Sequence, residues 1–231
     1  MKSSGGNGTF GFGGGYTSIV SKIFDVWFLG LMWVVTSIPV ITIGASTTAL
    51  YYAMVKSVKN DDGYGPTMYL RAFKRNFKQA TILWIIVAAV VYLMGVNTGV
   101  LAENLGGNLG ATLTGFYSIV GAYALLTGLY IFPALSRFDM DTPWFLRVGL
   151  YMVARYILTS LVMLLVVATV GMLVLKAPVL ILIVPGPACF LISEFMERVL
   201  DKHAPEGGKR ADLEKVPEDR YEDVPETGEE K

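Results

Sequence analysis

The chain has 231 residues, of which 53% are hydrophobic and 16% are charged, and its mean hydropathy is +0.52. Soluble domains are about 25% charged, so this composition excludes an ordinary water-soluble domain. The formal net charge is zero, but residues 201–231 hold 11 of the 19 acidic and 6 of the 19 basic side chains. We therefore expect an all-α polytopic membrane protein with a disordered acidic C-terminal tail over 201–231.

The first residues of the chain are polar and rich in glycine. Residues 1–15 contain no apolar core that precedes a cleavage site, so we expect a flexible lead and no cleavable signal peptide. Residues 16–27 then place apolar side chains on one helical face, which predicts an amphipathic lead-in at the membrane interface.

Residues 16–200 contain several long runs without a charged residue, and we expect them to form a single helical transmembrane domain. About 20 apolar residues suffice to cross the hydrocarbon at 1.5 Å per residue. The runs predict about five spans, at approximately 22–43, 79–102, 112–134, 153–175 and 177–197.

The first charge-free run, 26–55, is too long for one straight span and is interrupted by polar and helix-breaking residues. Pro39 predicts a bend because it lacks a backbone N–H, Gly44 permits a turn, and Ser46 can cap a new helix. We expect an amphipathic helix over 46–58, which either lies in the interface or tilts into the bilayer. The hydroxyl groups near Pro39 either satisfy backbone groups that the bend leaves free or form a polar pocket for a sugar or a partner's loop.

A second amphipathic helix is predicted over 67–78, directly before the second span. It carries a basic cluster formed by Arg71, Lys74, Arg75 and Lys78. One interpretation is a surface helix that attracts anionic membrane lipids. The other is a docking helix for a cytoplasmic partner.

Basic residues are unevenly distributed among the connections between spans. The connection 44–79 carries six of them and 136–155 carries three, whereas 102–111 carries none. The positive-inside rule places the basic connections and the C-terminus in the cytoplasm. Five spans put the N-terminus outside, whereas a sixth span at 46–58 would put it inside.

Few charges fall near the apolar spans. Arg155 is expected to enter the hydrocarbon, and Glu194 on the last span is its predicted partner in an intramembrane polar pair. Pro185, Gly186 and Pro187 predict a second helix bend, within the fifth span.

Catalytic and ligand-binding signatures are sparse. The chain has one histidine, His203, in its polar tail and one cysteine, Cys189, in the fifth span, whereas metal sites and nucleophile pairs need clusters of such residues. We therefore expect no enzyme activity, no catalytic, cofactor or metal site, and no nucleic-acid partner.

Two segments, "MWVVTSIPVITIGASTTALYYAM" and "YLRAFKRNFKQATILW", carry a resemblance to a known family. They resemble the YesL family of bacterial integral membrane proteins, strongly over the first 90 residues and more loosely through "FPALSRFDM". The key positions are Pro39, Thr42, Gly44, Ala49, Leu50, Tyr51, Asn76, Phe77 and Lys78.

The resemblance implies a multi-pass protein of the bacterial plasma membrane. The family has no established activity, but its members are associated with glycan uptake, beside carbohydrate ABC transporters and sensor kinases. We expect a non-catalytic accessory protein that docks on a sugar ABC permease or a sensor kinase. The alternative is a small oligomeric transporter or channel for a saccharide or related solute, which would use the Pro39 and Pro185 bends.

Overall fold

The computed structural model describes residues 13–59, 64–105 and 107–201, and this part of the chain folds into helices with no β-strand. The expected all-α fold class is confirmed. The α-helices of the described residues are α1 (Gly13–Thr36), α2 (Ile43–Ala53), α3 (Gly65–Asn104), α4 (Gly107–Arg137), α5 (Thr142–Arg155), α6 (Ile157–Lys176) and α7 (Pro185–Asp201). Short 3₁₀ segments lie at Val40–Thr42 and Pro178–Leu182, and a π-helical segment lies at Met54–Lys59.

Three helices of the described chain are long and apolar enough to cross a membrane: Gly65–Leu101, Gly107–Arg137 and Ile157–Lys176. In the most apolar stretches of the first and third, only 17% and 11% of the residues are buried inside the protein. Such extensive exposed apolar surface suits hydrocarbon rather than water. The fold therefore indicates a membrane protein, and the number of spans stays a prediction beyond these three helices.

The packed core lies toward one end of the α3–α4 pair. Buried side chains on α3 end at Val87, and on α4 the large buried side chains begin near Tyr130. Between them, residues 88–126 expose large apolar side chains such as Tyr92 and Ile119. The two helices thus continue beyond the core as an apolar hairpin.

The helix expected at 46–58, in the interface or tilted into the bilayer, overlaps α2 and the π-helical segment. In the structure α2 is surrounded by other helices, and Ala45, Ala49 and Ala53 are completely buried. These small side chains allow α2 to approach α3 and α4 closely. Residues 54–59 continue the chain as the π-helical segment rather than as an α-helix.

The predicted amphipathic helix 67–78 and the predicted span 79–102 form a single helix, α3, of 40 residues. At 1.5 Å per residue α3 is about 60 Å long, whereas the hydrocarbon core of a bilayer is about 30 Å thick. About half of α3 is therefore sufficient to cross a membrane, and the other half carries the basic residues.

The remaining predicted boundaries also change. The helix expected at 22–43 ends at Thr36, the span expected at 153–175 is divided at Tyr156, and the span expected at 177–197 becomes a 3₁₀ segment followed by the 17-residue α7. Residues 13–15 are expected to belong to the flexible lead 1–15, but they form the start of α1. The expectations for residues 1–12 and for the tail 202–231 lie outside the described residues.

Candidate functional site

The basic cluster predicted on the second amphipathic helix forms one exposed face of α3. Arg71, Lys74, Arg75 and Lys78 are spaced three and four residues apart and are all exposed, so they lie on one side of the helix. We call these four residues the basic face. Within the described part of the chain, Arg75 pairs with Asp139 at 3.7 Å, and the carboxylate of Asp139 is largely exposed.

The opposite side of α3 fixes the basic face in place. Tyr69, Ala72 and Asn76 are buried there against α2 and its neighbours. One turn further, the Gln79 amide donates a 2.8 Å hydrogen bond to the Met140 carbonyl, in the connection between α4 and α5. The four basic side chains therefore project from a helix that is anchored on its other side.

A polar network joins the three helices α2, α4 and α7. The carboxylate of Glu197 on α7 accepts a 2.6 Å hydrogen bond from the Tyr51 hydroxyl on α2 and a 3.0 Å charged hydrogen bond from Arg137 on α4. Both carboxylate oxygens are therefore engaged. Burial and the Glu197 carboxylate both raise the pKa of Tyr51 well above 10, so the tyrosine remains a neutral donor.

The predicted intramembrane pair of Arg155 and Glu194 is wrong. Glu194 instead pairs with Lys59 at 2.9 Å, which links α7 to the π-helical segment. Arg155 is exposed in the last turn of α5, before the break at Tyr156. Because that break redirects the chain, the uninterrupted span assumed for Arg155 does not form.

The bend predicted at Pro39 lies between α1 and the 3₁₀ segment that precedes α2. The Thr42 hydroxyl is within hydrogen-bonding distance of two carbonyl oxygens, at 2.5 Å from Thr36 and 2.6 Å from Pro39. The Ser46 hydroxyl donates to the Thr42 carbonyl from within α2 rather than capping the helix. These hydroxyl groups thus satisfy the backbone at the bend.

Gly44 has a packing role rather than the predicted turn role. It lies in the first turn of α2, where a Cβ atom would come 2.6 Å from both the Ala80 carbonyl oxygen and the Trp84 Cβ. Only glycine fits at this contact without displacement of α3.

The Pro185–Gly186–Pro187 sequence lies at the start of α7 rather than at a bend within a helix. Gly186 packs against the backbone of Val26, and a Cβ on Gly30 would lie 2.7 Å from the Gly186 nitrogen. The absence of side chains on these two glycines allows α1 and α7 to touch. The described residues also contain no group of three or more His, Cys, Asp or Glu side chains that could hold a metal ion.

The arrangement indicates a helical membrane protein in which α3 presents an exposed basic face and α2, α4 and α7 share a partly buried ionic network. In a comparison of sequences, the family described as a protein of unknown function, DUF624, matches residues 26–98. The matched segment, about a third of the chain, spans the Pro39 bend, α2 and the basic face. No curated protein and no solved structure matches the chain.

Proposed function

We propose that this chain is a non-catalytic accessory protein of a bacterial plasma membrane complex, and that its basic face binds an acidic cytoplasmic surface of a membrane partner. The observation that carries the proposal is the exposed, one-sided cluster of four cations on an anchored helix. Arg71, Lys74 and Lys78 make no ion pair or hydrogen bond to any other described residue. Positive side chains that are fixed and accessible favour rapid association with a negatively charged surface.

The class of partner is proposed from the resemblance to the YesL family. That resemblance suggests carbohydrate uptake as the setting, and a sugar ABC permease or a sensor kinase as the partner. The C-terminus is proposed to lie in the cytoplasm by the positive-inside rule, because the C-terminal side begins with Arg198 and Lys202 and the basic connections 44–79 and 136–155 are expected on the same side.

Transport by the chain itself has less support. At the Pro39 bend, the Thr42 and Ser46 hydroxyl groups are already bonded to backbone carbonyls, and the Thr47 hydroxyl accepts a hydrogen bond from the Trp33 indole. Among the described residues of the bend, the buried Ser37 hydroxyl is the one without a hydrogen-bond partner. The start of α7 at Pro185 is similarly occupied by its contact with α1. Both features have a structural role in the fold.

The test is affinity purification from native membranes in mild detergent, followed by mass spectrometry. One variant replaces the four residues of the basic face by Gln. A matched variant replaces four other exposed basic residues by Gln and so removes the same charge: Arg147, Arg155, Lys176 and Arg198.

We expect permease or sensor-kinase subunits to co-purify with the wild type and the matched variant, and at least tenfold less with the basic-face variant. Equal recovery with both variants would contradict docking at α3. Purification of the wild type as a homo-oligomer without such subunits would instead favour the transport alternative, which saccharide flux into liposomes would then test.

A further inference from the structure

An open cavity of about 810 Å³ lies between α1, the π-helical segment and α7. Its walls are mostly apolar and include Val26 and Trp27 from α1 and Phe190 and Leu191 from α7. Ile23, which is 64% exposed, continues this apolar surface at the rim. The cavity is separate from the basic face, since none of the four basic-face residues lines it.

The charged side chains that line the cavity are gathered at one end. Gly30 of α1 packs against Gly186 of α7. The residues of α1 that line the cavity precede Gly30 in the sequence, whereas those of α7 follow Gly186. Lys22 lies eight residues before Gly30, and Glu194 lies eight residues after Gly186. Lys59 joins them, because its ammonium group is 2.9 Å from the Glu194 carboxylate. The cavity thus combines a long apolar wall with one charged end.

This polarity matches an amphiphile with an anionic head and an apolar body, such as a phospholipid. Lys22 and Lys59 bring two ammonium groups to the charged end of the cavity, beside the one carboxylate of Glu194. Lysine side chains can extend along apolar walls and keep their ammonium groups at the headgroup level. A lipid has its charge at one end of the molecule, as the cavity does. An apolar partner helix or a second copy of the chain could occupy the cavity without charged side chains at one end.

We propose that this cavity binds one phospholipid molecule from the surrounding bilayer. The phosphate lies at Lys22 and Lys59, and an acyl chain lies against Trp27 and Leu191. The lipid would fill the space between α1 and α7 on the charged side of the close backbone contact made by Gly30 and Gly186. The proposal does not depend on docking by the basic face.

The test is native mass spectrometry of the full chain in detergent, titrated with dioleoylphosphatidylglycerol. Dioleoylglycerol, which has the same acyl chains and no phosphate, is the matched ligand control. We expect a single phosphatidylglycerol adduct per chain, and at least tenfold weaker binding of dioleoylglycerol.

Two variants locate the adduct. Leu191→Trp adds bulk inside the cavity, and Leu165→Trp makes the same change on the exposed surface of α6, where Leu165 is 68% exposed. Lys22→Gln removes a charge at the cavity end, and Lys176→Gln removes an exposed charge that lies outside the cavity. We expect Leu191→Trp and Lys22→Gln to lower adduct occupancy at least fivefold, and the two controls to leave it unchanged.

Three results would overturn the proposal. The first is equal binding of the two lipids. The second is a series of adducts whose occupancy neither Leu191→Trp nor Lys22→Gln changes. The third is a dimer that Leu191→Trp dissociates, which would show that the cavity is covered by a second copy. Since Leu191 is about half exposed, its replacement is compatible with folding, and Lys22→Gln tests the charged end without any change in bulk.

Discussion

At the scale of single residues, the Glu197 carboxylate joins α7 to two elements that are distant in sequence, α2 and α4. It accepts a hydrogen bond from the Tyr51 hydroxyl, 146 residues away in the sequence, and one from the Arg137 guanidinium, 60 residues away. Arg137 and Glu197 are each at least three-quarters buried, with 24% and 20% of their side-chain surface exposed. Their interaction is therefore screened less by water than that of Lys59 with Glu194, whose carboxylate is 45% exposed.

We expect Glu197→Gln to destabilise the protein by about 1.5–3 kcal/mol, because Arg137 would keep its charge and lose its counter-ion. Glu194→Gln, at the more exposed pair, should cost at most about 1 kcal/mol. Thermal unfolding in one detergent, followed by circular dichroism, compares the two variants. Equal losses would show that the Glu197 network contributes no more than a surface pair.

A second residue-scale prediction concerns Gly44. Gly44→Ala should destabilise the protein by about 1–3 kcal/mol, because the added methyl group would overlap the Ala80 carbonyl and Trp84. Gly99→Ala is the control, since a Cβ there meets nothing within 4 Å. The same unfolding experiment should show a lower midpoint for the first variant alone. An unchanged midpoint for Gly44→Ala would contradict the close packing of α2 on α3.

Local effects at this scale could be predicted from the sequence, and long-range pairings could not. The Pro39 bend follows from the covalent structure of proline, although α1 ends at Thr36 rather than near residue 43. The partner of Glu194 depends on which helices become neighbours. The sequence does not predict Lys59 as that partner, because Lys59 lies on the connection 44–79 and outside the predicted spans.

At the scale of elements, α3 combines two kinds of surface in one continuous helix. Its first half is buried on one side and basic on the other, and its second half exposes apolar side chains. The 3.6-residue periodicity predicted the basic face correctly because burial follows the helical repeat. The prediction separates an amphipathic helix from a span at residue 78, because the basic residues end there. The two segments form one helix, and no proline or glycine between 67 and 94 interrupts it.

We expect the two halves of α3 to differ in their access to water. In a Cys189→Ala background, Lys74→Cys should react with a water-soluble maleimide in open membrane fragments. Leu93→Cys on α3 and Leu165→Cys on α6, both exposed on the protein surface, should react at least tenfold more slowly, because lipid covers them. Fast labelling of all three positions would show that α3 and α6 face water.

At the scale of the whole molecule, the core is asymmetric. The densest packing involves α2, the first half of α3 and the second half of α4, whereas α6 and the far ends of α3 and α4 present apolar surface outward. Composition predicted a helical membrane protein, since it reports the total apolar content. It did not predict that α2 would be buried, because a run of small and apolar residues suits either lipid or the interior of a helical bundle equally.

The central claim is that the basic face of α3 contacts a protein partner, and crosslinking in living cells tests it most directly. A photoreactive p-benzoylphenylalanine would replace Lys74 in one strain and Arg147, an exposed residue of α5, in another. We predict a discrete adduct with a permease or sensor-kinase subunit from position 74 and a much weaker one from position 147. Adducts with lipid alone from position 74, or the same protein adduct in equal yield from both positions, would contradict the account.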